Sequence, residues 1–145
     1  MKVMVMVKVS GADENKATAT REMLAAMGDY NEQLVKAGIM LDGGGLKPSA
    51  AGAQVIFEGG TTSVVDGPFT ESKEIIGGYW VWQVSSMEEA VEWAKKCPTS
   101  PDGPRGVLEI RPYGEDSDFG DEYTDEQREF DAKLGEQIRA QHGQG

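Results

Sequence analysis

The chain reads as an α+β domain of the ferredoxin-like sandwich kind, with an antiparallel sheet, two covering helices and an added C-terminal helix. Three features of the sequence predict it. A period-two strand pattern opens the chain, two amphipathic helical segments are spaced between strand-like runs, and a Gly-rich hairpin signal interrupts the alternation.

Residues 2–9 place Val3, Val5, Val7 and Val9 on one side and Lys2, Met4, Met6 and Lys8 on the other. That is the alternation of a strand, and Met4 and Met6 make its second face more apolar than a solvated surface needs. From about Asn15 to Ala37 the residues Met23, Met27, Tyr30 and Leu34 recur at helical spacing, with Gly38 at the position of a C-terminal cap. Ile39–Leu41 follows as a short strand, and Gly43-Gly44-Gly45-Leu46-Lys47-Pro48 reads as a turn. Gln54–Glu58 and Ser63–Asp66, joined by Gly59-Gly60-Thr61-Thr62, form a hairpin. The aromatic and β-branched run Tyr79–Val84 reads as a central strand. Ser86, with Glu89 three residues on, is a capping box for a helix over 87–96, whose Ala90, Val91 and Ala94 face inward. Pro98 ends it, and Val107–Arg111 forms the last strand.

This order matches the split β-α-β unit with an inserted hairpin. Two helices cover one sheet face only, so a homodimer formed through the other face is expected. The domain spans residues 1–113. Residues 114–145 divide into an acidic linker up to 123 and a helix over 124–141 with Phe130, Leu134 and Ile138 four apart.

Composition narrows the function classes. At 145 residues, with 39% hydrophobic and 27% charged side chains, one ordinary globular core is expected. The net charge is -11, of which the ten acidic and three basic residues from Glu115 onward supply -7. Such a charge disfavours phosphate backbones and anionic lipid, so neither nucleic acid nor membrane is an expected partner. The apolar N-terminal stretch is too short for a spanning helix and lacks an export signal's cleavage site, and the single cysteine, Cys97, forms no internal disulfide. A cytoplasmic setting is expected. With no histidine in the main domain, no metal or other cofactor is expected, and Gly43–Gly45 lacks both phosphate-loop and dinucleotide spacing.

Several residues are candidates for a site. Asp66, at a strand end before Gly67-Pro68-Phe69, is the candidate acid–base group if partly desolvated, and equally a turn cap. Glu71 and Lys73, with Glu74, would orient a polar ligand beside it or form a solvated turn. Glu109 and Arg111 share one face of the last strand, where they pair or bind an anion. Tyr30, Trp80 and Trp82 either line a small-molecule pocket or pack the core.

The Asp66-Gly67-Pro68-Phe69 tetrad, the downstream Glu71-Ser72-Lys73-Glu74 and Gly77-Gly78-Tyr79, the Ser86-Met87-Glu88-Glu89-Ala90 helix start and the closing Val107–Pro112 occur in that order. In these motifs residues 1–113 resemble the DGPF branch of the YCII-related family. The resemblance implies a dimeric α+β barrel with a pocket between sheet and helices, in which Phe69 of the tetrad is a candidate lining residue. It also implies a regulatory or stress-linked role, with a sigma factor as a possible protein partner. The YCII branch suggests a His–Asp pair for catalysis. This sequence departs from it, because its sole histidine, His142, lies in the tail. Two functions therefore stand side by side: a ligand-sensing or regulatory domain, and a cofactor-independent isomerase, lyase or oxygenase using Asp66.

Overall fold

The computed structural model describes residues 1–15 and 19–143. The chain forms two compact units, residues 1–113 and 114–145. The first contains β1 (Lys2–Val9), α1 (Arg21–Lys36), β2 (Met40–Gly45), β3 (Ala53–Glu58), β4 (Thr61–Asp66), β5 (Ile75–Gln83), α2 (Met87–Lys95) and β6 (Val107–Pro112). Its main sheet runs β2-β5-β1-β6, antiparallel throughout, and β3 and β4 pair separately as a hairpin. The expected α+β fold with an inserted hairpin is thus observed.

Alternation decides which face of β1 is covered. Val3 and Val5 are fully buried beneath the helices, with Trp80, Trp82 and Val84 from β5 and its extension, Tyr30 and Leu34 from α1, and Ala90 from α2. Tyr30 meets Trp80 edge-on at 5.9 Å between ring centroids. On the opposite face lie Met4, Met6, Tyr79 and Val81, in registered pairs across β1 and β5. Lys8 sits beside them and bridges Glu74 at 2.6 Å and Glu109 at 3.0 Å.

Several sequence expectations need correction. The first helix begins later than 15, at Arg21, where the Thr20 hydroxyl accepts the Met23 N–H; positions 16–18 of the expected helix lie outside the described residues. The glycines 43–45 belong to β2 and not to a turn, pairing with Trp80, Tyr79 and Gly78 of β5. A Cβ at Gly43 would come 3.0 Å from Trp80 Cδ1, so the missing side chain makes room for the neighbouring indole. On α2, Val91 turns outward at 37% exposure. The inward stripe is Met87, Ala90, Trp93, Ala94 and Cys97, which share one helix face, whereas Val91, next to Ala90, lies about 100° round the helix. The β3–β4 turn needs only Gly59 and Gly60, whose φ values of 57° and 79° favour glycine.

The hairpin is exposed along both strands, and one of its faces carries Val55, Phe57 and Val64. In the second unit, the stretch expected as a linker forms a 3₁₀ segment (Asp116–Glu122), and α3 (Asp125–His142) follows. Within that unit Tyr123 donates to Asp131 at 2.5 Å and Arg128 covers the Tyr123 ring.

Candidate functional site: a cleft between helix α1 and the sheet

The split of the helix layer from the edge of the sheet leaves a cleft of about 510 Å³. Its sheet wall is Val7 and Val9 of β1, Gly43–Gly45 of β2, and Ile75 and Gly77–Trp80 of β5; α1 supplies Met27 and Asn31. Met40, Leu46, Lys47, Pro48 and Glu14 complete the lining. Glycine at β2 opens the cleft: an added Cβ at Gly45 would meet no atom within 4 Å.

Among the described residues, Asn31, Glu14 and Lys47 bring amide and charged side chains into this largely apolar lining. Trp80 Nε1 donates to Asn31 Oδ1 at 2.9 Å, which fixes the amide's orientation and leaves its N–H₂ group to donate elsewhere. Glu14 accepts from both the backbone N–H and the hydroxyl of Ser49, the hydroxyl at 2.7 Å. Lys47 is exposed.

Ser49, 8% exposed, is the hub of a clasp under the cleft. Its Oγ also accepts the Phe69 N–H at 2.9 Å, and Gly67 N–H donates to Gly52 O at 2.9 Å. A Cβ on Gly67 would overlap the Ser49 carbonyl oxygen and lie 2.6 Å from its carbon. Likewise, Gly11 donates to Ser72 O at 2.9 Å, and a Cβ there would overlap Phe69 O. The Gly67–Phe69 turn, with its cis Gly67–Pro68 bond, is therefore packed backbone to backbone against the 49–52 segment and Gly11.

The other sequence candidates separate. Asp66 is exposed at the end of β4, opposite Ala53, and lines neither this cleft nor a second, more open hollow of about 330 Å³. That hollow is lined by Phe69 and Glu71, among others. Lys73 is exposed. Glu109 pairs with Lys8 of the adjacent strand, not with Arg111, which is exposed. Tyr30 and Trp82 are core residues. The Tyr30 hydroxyl donates to Trp93 O at 2.7 Å, and burial pushes its pKa up, with the Cys97 thiol nearby adding to the shift. Trp82 Nε1 is buried and has no partner among the described residues. Trp80 alone of the three aromatic candidates lines the cleft.

Sequence reasoning missed Glu14, Asn31 and Ser49. Glu14 and Ser49 are 35 positions apart and Asn31 and Trp80 49 apart, so no local pattern joins them.

A helix-covered antiparallel sheet with a cleft along one edge defines an α+β domain of the ferredoxin-like class. The YCII-related domain profile matches residues 1–115, and the chain belongs to that family. It is also 34% identical over 67 residues to an uncharacterised protein of Rhizobium meliloti (strain 1021). That match covers 46% of this chain and 53% of the relative, so the chain spans about half the length of the curated relative.

Proposed function

We propose that the domain binds a small organic molecule in the cleft between α1 and the sheet, and does so as a homodimer. The cleft carries this reading. Its volume falls within the range typical of ligand sites, and its apolar lining is interrupted by a few fixed polar groups, as such sites require. Indole-anchored Asn31 and Ser49-anchored Glu14 are held in place before any ligand arrives, which lowers the ordering cost of binding. The alternative, an enzyme using Asp66, draws no support from an exposed carboxylate that lines neither cavity.

The dimer rests on the sheet face opposite α1 and α2. Met4, Met6, Tyr79 and Val81 form its apolar centre, and Lys2, Lys8 and Arg111 stand with Asp42 and Glu109 around it. A patch carrying both signs can meet its own copy across a two-fold axis, with charges of one subunit set against opposite charges of the other. Met6→Glu should convert the dimer to monomer in sedimentation; a monomeric wild type at micromolar concentration would rule the pairing out.

For the cleft, the test is a thermal-shift panel of small metabolites against wild type and Gly45→Phe. Because the added side chain enters open space, the variant should fold normally, while ligands that stabilise wild type should lose their effect. Ligands that stabilise both equally would place binding elsewhere.

A further inference from the structure

We infer that the cleft selects a ligand with an apolar body and a cationic or hydrogen-bond-donating head, a primary amine above all, received by Glu14. This rests on the cleft being the ligand site.

Glu14 is half-buried in the cleft lining, and no lysine or arginine among the described residues pairs with it. Ser49 donates one bond to each of its oxygens. A carboxylate has about four acceptor positions, so about two stay open. A group that makes no ion pair among the described residues yet is fixed by a nearly buried serine is an acceptor awaiting a donor.

The remaining polar groups do not cancel this preference. Asn31 keeps its carbonyl on the Trp80 indole, leaving only donor hydrogens, and so would complement a second, acceptor atom on the ligand. Among the described residues Lys47 is the one cation in the lining; it is exposed, so water screens it more than the half-buried carboxylate. Beyond the site, residues 1–114 carry 15 acidic against 11 basic side chains, a field that also attracts cations and repels carboxylates. Val7, Val9, Met27, Met40 and Ile75 would hold the apolar body.

Three probes that share one phenyl body and differ at the head separate the possibilities: phenethylamine, 2-phenylethanol and 3-phenylpropionate, titrated calorimetrically into the full chain. Wild type should bind the amine at least about tenfold more tightly than the acid, the alcohol falling between, as about 1.4 kcal/mol of head-group discrimination requires. Glu14→Gln, which keeps an acceptor for Ser49 N–H, should bring the amine to the level of the alcohol. The wild-type order needs no variant, so a misfolded Glu14→Gln would leave the inference testable. An acid that binds as well as the amine, or an amine preference that persists in folded Glu14→Gln, would overturn it. If the amine fails to bind while panel compounds still stabilise wild type but not Gly45→Phe, the head-group inference falls and the cleft reading stands. If no compound is cleft-dependent, both fall.

Discussion

Gly67→Ala should be the most damaging single-methyl change in the domain. The new Cβ overlaps the Ser49 carbonyl oxygen and sits 2.6 Å from its carbon and 3.3 Å from Ala50 Cα. All three are backbone atoms, so no rotamer change relieves the clash, and the Gly67–Phe69 turn must move away from the 49–52 segment. That motion breaks the Gly67 N–H to Gly52 O bond and the Phe69 N–H to Ser49 Oγ bond. Each bond contributes about 1 kcal/mol net, and forcing atoms into a packed site costs about 1–3 kcal/mol, for a total of about 3–5 kcal/mol. Against a usual total stability of about 5–15 kcal/mol this is a large fraction. For a unit of this size it lowers Tm by roughly 10–20 °C. Urea unfolding with a matched thermal scan reads both quantities. Gly106→Ala is the control, because its Cβ meets no atom within 4 Å, and it should stay within about 0.5 kcal/mol of wild type. A Gly67→Ala midpoint indistinguishable from that control would refute the clasp.

Ser49→Ala removes a donor from Glu14 and the acceptor of the Phe69 N–H, and should cost about 2–3 kcal/mol in the same unfolding assay. If Glu14 receives the ligand, the variant should also weaken amine binding by calorimetry even where it stays folded. Burial pushes the Tyr30 and Cys97 pKa values up, so both groups hold their protons more tightly in the folded chain than in the unfolded one. Their contribution to stability is then full below the ordinary thiol and phenol values, about 8.5 and about 10, and declines as pH rises past each. The double variant Tyr30→Phe, Cys97→Ala should flatten the alkaline limb of a plot of unfolding free energy against pH, and an unchanged slope would deny the linkage.

The elements that sequence patterns revealed are those whose partners sit at local spacing. The Val3–Val9 alternation, the Ser86 cap and the paired Trp80 and Trp82 each carry their own period, and all three appear in the structure on the expected faces. Gly43–Gly45 misled because three successive glycines signal a turn, whereas here they continue β2 along β5, and Gly43 leaves room for the Trp80 indole. Val91 misled because it borders the inward stripe, whose core side is filled instead by Met87, Trp93 and Cys97. The site itself was the least legible part. Asp66 draws attention as a charge beside a Gly-Pro turn, yet the requirement written into that motif belongs to Gly67, which admits no side chain against Ser49. Glu14 sits in a stretch with no periodicity, and its partner, Ser49, lies across the fold. The close approaches at Gly11 and Gly67 explain why glycine stands there, since it allows backbones to touch where a Cβ would not.

The central claim is that the cleft between α1 and the sheet is where a ligand sits. The most direct measurement is mapping of ¹H–¹⁵N shifts, backbone and side chain, on addition of a compound that stabilises the wild type. The account predicts that the largest changes fall on the Trp80 indole N–H, the Asn31 side-chain amide and the Gly43–Gly45 backbone. Changes confined to the Asp66–Lys73 turn or the β3–β4 hairpin, with those signals unmoved, would contradict it.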